Sequence, residues 1–482
     1  MDNIKQKTKI GIFWNAFEKV FVQGVSFVLN IILARLLSPH DYGTIGMLTV
    51  FLTFSNVFVD SGFSRALIQR QDRTERDFST VLIFNVAVSC LLYLILFLAS
   101  PAISSFYAIP DLVSLQRVFF LVIVLNSLTV VQSAQLQIQI NFRRIALINA
   151  TATVLSGCLA VVAAYKGLGV WSLVVQSLSK AGISALCFWI AGRWIPSTGF
   201  SFESFRRLFG FGSKLLVSGF LGVTVTNINS LVIGKIYTPA SLGYYTRAQQ
   251  FPDVVSGTLN SVLNTSTFPM MAALQDRREE LLMTFRRLVK LTALAVVPAM
   301  MGIAVLSKNI ILVLLGEKWL PASDMLFWLA LSYVFLPINA LNLNLLNAIG
   351  RSDLFLKVDA AKIPIIFATM AITFPISLKA VVIGKAVTAL IYFFINAFMI
   401  GRLYNFGGLR QLLHIWKIIV SAVVMFFSVG FVLRMLPSNF MGLLLCIVFG
   451  VVVYLLMLLV LREEEVFVLA RKLLARRGLY GR

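Results

Sequence analysis

Apolar residues run along this chain in blocks of 18 or more, such as Val81 to Ala99 and Met441 to Leu461, divided by short polar segments. A helix of that length crosses a hydrocarbon core of about 30 Å. Water is absent there, so each backbone must satisfy its own hydrogen bonds, which favours helices and excludes an open sheet. The pattern predicts about fourteen transmembrane helices, near 11–34, 41–62, 78–100, 112–136, 146–165, 170–191, 210–234, 241–264, 288–307, 324–347, 359–377, 380–401, 416–434 and 440–461. The expected fold class is therefore an all-α membrane protein.

Composition agrees: 59% of the 482 residues are apolar and 13% charged, too few charges to cover a soluble protein of this size. A net charge of +22 taken alone is compatible with a nucleic-acid partner, but its placement is not. With Lys5, Lys7 and Lys9 inside, about 30 of the 42 Lys and Arg fall in cytoplasmic segments, as the positive-inside rule requires. Both termini are then cytoplasmic, in a bacterial inner membrane, and anionic lipid headgroups are the expected partners of the basic excess. The first span, interrupted by Glu18 and Lys19, is too long for a cleaved signal peptide. Cys90, Cys158, Cys187 and Cys446 sit in apolar spans without metal-ligand spacing, and His40 and His414 have no acidic or cysteine cluster in sequence. No cofactor, metal or nucleic-acid partner is expected. There is no phosphate-binding Gly-x-x-x-x-Gly-Lys-Ser/Thr loop, and the outer loops are short and poor in acids, so an enzyme is not expected.

A shift of 200 residues superimposes Ala34-Arg-Leu-Leu-Ser-Pro39 on Gly234-Lys-Ile-Tyr-Thr-Pro239 and Gly43 on Gly243. Six spans, an even number, lie within the period, so the halves are expected to be parallel repeats. This predicts two six-helix lobes, 1–200 and 201–405, and a third segment, 406–482, carrying two lipid-facing helices and a tail. Two segments look interfacial: Ser201 to Phe209, which joins the halves, and Val466 to Arg477, whose apolar and basic residues divide onto opposite helical faces.

Polar residues fall in stripes. Span 1 carries Asn15, Lys19, Gln23, Ser26 and Asn30; span 2 carries Thr49, Thr53, Asn56, Asp60 and Ser64; span 8 carries Arg247, Gln250, Asp253, Gly257, Asn260 and Asn264. Such steps of three and four place each set on one helical face, consistent with a water-filled cavity. Helix-to-helix packing accounts for the hydroxyls. It accounts poorly for Lys19 and Arg247, since a charge at the bilayer centre costs about 2.5–3.5 kcal/mol even on the gentler scale. A cationic cavity favours an anionic ligand. Lys180 and the Asp359–Lys362 pair are weaker candidates. Glu18, Asp60, Asp253 and Asp359 are available for ion coupling.

The stretches Ala34-Arg-Leu-Leu-Ser-Pro-His-Asp-Tyr-Gly43, Leu242-Gly-Tyr-Tyr-Thr-Arg-Ala-Gln249, Thr267-Phe-Pro269 and Leu315-Gly-Glu-Lys-Trp319 resemble the Wzx-type exporters. Within the multidrug/oligosaccharidyl-lipid/polysaccharide superfamily, they are most similar to the colanic-acid and teichuronic-acid exporter group. The resemblance implies a MATE-like pair of lobes that rock between inward-open and outward-open states. It implies a flippase moving an undecaprenyl-diphosphate-linked oligosaccharide to the outer leaflet, where a polymerase is the expected partner. Arg247 matches the place where related lipid II flippases carry a functional arginine, and Glu18-Lys19 is loosely similar to their charged pair in span 1. Together these assign the diphosphate to Arg247 and Lys19, and the sugar to Asn15, Gln23, Asn30, Gln250 and Asn260. The alternatives are an ion-coupled small-molecule exporter on the same scaffold and a non-transporting scaffold of a polysaccharide assembly complex.

Overall fold

The computed structural model describes residues 2–60 and 62–465, with side chains other than those at 2–10, 12, 13, 15, 16, 211, 214, 215, 261, 262, 264–266 and 352. The expected tail helix, 466–477, lies outside the described residues. The described residues are almost all helical and include no strand. They divide into two compact units, residues 1–246 and 247–482.

The first unit contains α1 (Asp2–Leu36), α2 (Pro39–Asp60), α3 (Phe63–Gln69), α4 (Glu75–Leu98), α5 (Ser100–Tyr107), α6 (Leu112–Phe119), α7 (Leu121–Ile138), α8 (Phe142–Tyr165), α9 (Trp171–Gly192) and α10 (Phe202–Ile236). It ends within α11 (Pro239–Ala272). The second contains the rest of α11, then α12 (Arg278–Val305), α13 (Ser307–Ile310), α14 (Ala322–Tyr333), α15 (Leu336–Ala348), α16 (Ser352–Thr373), α17 (Leu378–Tyr404), α18 (Gly408–His414), α19 (Trp416–Val432) and α20 (Phe440–Val460).

Eleven of the described helical segments are long and apolar enough to cross a membrane, and the α18–α19 pair, bent by 65°, adds a twelfth. The two further spans expected from the sequence correspond to α11 and α16, helices of 34 and 22 residues. Both are long enough to cross but too polar to count with the rest. Arg247, Gln249, Gln250 and Asp253 dilute α11; Asp353, Lys357, Asp359 and Lys362 dilute α16.

Local sequence sets the helix ends. Ser201, Ser377 and Asn439 each accept a hydrogen bond from the backbone N–H three residues on, which satisfies a donor the helix cannot. Thr74 and Asp77 form a reciprocal capping box at the start of α4. In the Leu315-to-Trp319 motif, Gly316 takes φ 99°, a conformation natural to glycine, and the turn delivers Trp319 to full burial.

The 200-residue period is visible in the elements. Helices α1 and α10 each have 35 residues, and α2 and α11 begin at Pro39 and Pro239. Within the first unit the two repeat-related corners meet: a Cβ at Gly43 would lie 1.6 Å from the Pro239 carbonyl oxygen, and one at Gly243 would lie 2.0 Å from that of Pro39. The helices approach this closely only because neither position has a side chain. The stretch from Ser201 to Phe209, expected to lie at the interface, forms the opening turns of α10 and runs without a break into its apolar part. Phe205 packs on Phe63 and Phe84 while Phe202 stays exposed.

Candidate functional site

In the first unit the polar residues of span 1 lie along α1. Lys19 is exposed, and Gln23 and Asn30 are half-buried; the Asn15 side chain lies outside the described ones. Successive residues on a helix point about 100° apart, so Glu18 and Lys19 address different neighbours. Glu18 accepts a 2.5 Å hydrogen bond from the Asn149 amide of α8, against which α1 packs. On α2, the Thr49 and Thr53 hydroxyls donate to carbonyls of their own helix, at Ile45 and Thr49. The Asn126 amide of α7 donates to Asn56 at 3.3 Å. Asn56 thus joins α2 to α7, while Thr49 stays exposed. Asp60 ends α2 and is exposed.

In the second unit, α11 brings several expected residues together. The Arg247 guanidinium donates to the Gln250 side chain at 2.8 Å, one turn away. One turn further, the Asp253 carboxylate accepts a 2.5 Å hydrogen bond from the Tyr333 hydroxyl of α14. The Lys385 ammonium of α17 lies 5.5 Å from the centre of the Tyr333 ring. Carboxylate, phenol and ammonium thus form a chain across three helices. Two turns beyond Asp253, Asn260 is half-buried, and its buried side-chain oxygen has no hydrogen-bond partner among the described residues. On α16, Asp359 and Lys362 form an ion pair of 2.7 Å, and the Lys362 ammonium also lies 5.8 Å from the Tyr392 ring centre.

Arg247, Gln250 and Asn260 therefore share a unit and a helix, with Gln250 about 60° and Asn260 about 140° round from Arg247, whereas Lys19, Gln23 and Asn30 belong to the other unit. Asn149, Tyr333 and Lys385 were missed from sequence, although each is a polar or charged residue at an apolar depth. What joins them to Glu18 and Asp253 is contact between helices distant in sequence. Among the described residues, no group of His, Cys, Asp and Glu is placed to hold a metal. What this arrangement offers is charge and amide hydrogen bonding along helix faces, suited to an anionic, hydroxyl-rich ligand.

Another polar cluster ties α10 to α4. Arg207 donates to both Asp77 carboxylate oxygens at 2.6 Å, and Asp77 is fully buried. Arg207 lies before the apolar part of α10, and the hydrogen bond it donates to Asp77 raises its pKa above the ordinary arginine value.

The lipopolysaccharide biosynthesis protein WzxC of Escherichia coli (strain K12) is 25% identical over 443 residues, 90% of this chain and 89% of that protein. The teichuronic acid biosynthesis protein TuaB of Bacillus subtilis (strain 168) is 26% identical over 356 residues, 73% of this chain and 74% of the relative. In fold the chain is similar to the lipid II flippase MurJ in its inward closed conformation, with a TM-score of 0.72 over 95% of this chain and 99% of that one at 15% identity. A sequence model described as "Polysaccharide biosynthesis protein" matches residues 32–324, more than half of the chain and a range that contains all four motif stretches quoted above. This multi-pass membrane protein belongs to the polysaccharide biosynthesis protein family.

Proposed function

We propose that this chain is a flippase of the bacterial cytoplasmic membrane. On this proposal it carries an undecaprenyl-diphosphate-linked oligosaccharide from the cytoplasmic to the outer leaflet by alternating access, for cell-surface polysaccharide synthesis. Both termini are cytoplasmic, and the repeats are lobes 1–200 and 201–405 followed by the segment 406–482. A polymerase that consumes the flipped lipid is the natural partner.

The observation that carries the proposal is the face of α11, where Arg247 and Gln250 sit one turn apart in a membrane protein of a polysaccharide-synthesis family. A guanidinium is suited to an oxyanion because its planar donors form paired hydrogen bonds, and it stays charged at any depth. Arg247 and Lys19 are assigned to the diphosphate. Asn15, Gln23, Asn30, Gln250 and Asn260 are assigned to sugar hydroxyls. The chain acts by binding and conformational change, without breaking a bond in its cargo.

The test is the leaflet distribution of lipid-linked oligosaccharides in cells lacking this chain, measured with their surface polysaccharide. Surface glycan should fall and intact lipid-linked repeats should accumulate on the inner face. Arg247→Ala should leave that phenotype uncorrected, while Arg247→Lys restores part of export because it keeps the charge and loses the paired geometry. Full export by Arg247→Ala at normal expression refutes the assignment. Unchanged glycan and lipid in cells without any other flippase refutes the flippase reading and favours a small-molecule exporter.

A further inference from the structure

Lys180 is the tenth residue of α9 and has an exposed side chain. It lies about 13 Å along the axis from the Trp171 end and about 18 Å from the Gly192 end. A lysine side chain reaches about 6 Å, so it cannot carry its ammonium to either end of the span. Arg247 has Gln250, Lys362 has Asp359 and Lys385 has the Tyr333 ring. Lys180, by contrast, has no hydrogen-bonding or charged partner among the described residues.

The helical wheel shows which way it faces. At about 100° per residue, Gln176, Ser177 and Ser184 fall within about 60° of Lys180. The buried Ala181, Ala185 and Phe188 lie about 80–140° to one side, against the rest of the unit. The exposed Leu186 and Ile190, 63% and 66% accessible and suited to lipid, lie about 80–120° to the other side. Lys180 therefore stands on a separate polar face of α9, neither in the packed core nor on the apolar exposed side. A membrane-depth ammonium without a protein counter-charge is costly, and such residues line a pathway or await a ligand.

We propose that Lys180, with Gln176 and Ser184 one turn to either side, is a binding site for an oxyanion of the cargo. The proposal rests on the flippase reading and extends it by giving the first unit a second cationic position, on α9, beside Lys19 of α1 as a candidate for the cargo's anion. Two oxyanions are available on a lipid-linked oligosaccharide: the diphosphate, and a carboxylate on an acidic sugar. Both are bound by the same chemistry, a charge-assisted hydrogen bond from the ammonium supported by an amide and a hydroxyl.

The experiment is equilibrium binding to the full chain in lipid nanodiscs, read by tryptophan fluorescence. The three probes are undecaprenyl diphosphate, an undecaprenyl-diphosphate-linked neutral glucosyl disaccharide, and its glucuronyl counterpart. Lys180→Gln removes an unpaired charge from membrane depth, so it should fold at least as well as the parent. It should weaken binding by about tenfold or more, while Lys180→Arg retains most of it. Loss confined to the glucuronyl probe assigns the site to a sugar carboxylate, and equal loss on all three assigns it to the diphosphate; either sustains the proposal. Wild-type affinity of Lys180→Gln for all three probes overturns it and leaves the flippase reading in place. Binding of none of the probes by the parent chain overturns the flippase reading, and this site with it.

Discussion

The crossing of the repeat-related corners at Gly43 and Gly243 offers a sharp test of the transport cycle. A methyl group at Gly43 would lie 1.6 Å from the Pro239 carbonyl oxygen, where real Cβ atoms keep at least 3.0 Å. The obstacle is backbone, so no rotamer change relieves it, and the corners must part by about 1.4 Å or the helices must bend. Overpacking of this kind costs about 1–3 kcal/mol. If the crossing forms in only one of two alternating states, Gly43→Ala shifts their equilibrium by about 5- to 150-fold against that state. Spin labels at the exposed His40 and Thr238, in a background without the four native cysteines, report the separation of the corners by pulsed dipolar spectroscopy. The parent should populate a short distance that Gly43→Ala depletes, with a matching loss of export. Gly243→Ala should act the same way and combine less than additively, because both substitutions strain one crossing. Gly222→Ala on α10, where a Cβ meets nothing within 4 Å, is the control and should leave the distances unchanged. An unaltered distance distribution in Gly43→Ala, with full export, refutes a crossing that opens and closes.

Two further outcomes follow from the polar contacts. Asp77→Ala removes the acceptor of a paired Arg207 contact and half of the α4 capping box. Because Arg207 is one-third exposed, we expect a loss of about 2–4 kcal/mol rather than the full value for a buried pair, seen as a lowered Tm in detergent. An unchanged Tm means that the contact contributes nothing. Tyr333→Phe takes the hydroxyl from the Asp253 carboxylate, a charge-assisted bond worth about 1.5–3 kcal/mol. Export should fall while the protein stays folded; if activity is retained, the three-helix chain is dispensable to transport.

The fold was largely legible because lipid allows few solutions. Long apolar blocks had to be helices, and the shared Pro and Gly at 39 and 43 against 239 and 243 set the repeat to the residue. Interruptions within spans were harder to read. The span expected at 112–136 is two helices, α6 and α7, meeting at Phe120, and that at 324–347 breaks between α14 and α15. Both breaks fall inside apolar sequence, where hydropathy carries no mark of a bend. For the candidate site, local pairs could be seen in advance: Asp359 and Lys362 are three residues apart on one helix, and so are Arg247 and Gln250. Partners on other helices could not, because periodicity gives the face a residue occupies and not what that face meets. The Thr49 and Thr53 hydroxyls add a detail that periodicity does not carry: each spends its donor on its own backbone and leaves its oxygen as an acceptor.

The pairing of charges bears on what drives the cycle. Three of the four carboxylates proposed for ion coupling already have a donor: Glu18 has Asn149, Asp253 has Tyr333 and Asp359 has Lys362. A coupling cation would have to displace or share those donors, each held at 2.7 Å or less. The cations proposed to meet the cargo are Lys19, Lys180 and Arg247, and Lys180 has no charged partner among the described residues at a depth where a charge costs about 2.5–3.5 kcal/mol. An anionic cargo relieves that cost when it binds, so the loaded protein is the electrostatically relaxed one. A ligand shifts a conformational equilibrium only by its difference in affinity between states. If one state brings more of these cations onto the cargo than the other, the cargo itself selects that state. On the proposed flippase reading, removal of the flipped lipid by polymerisation sets the net direction, and dissipating the ion gradients should leave a single round of flipping intact.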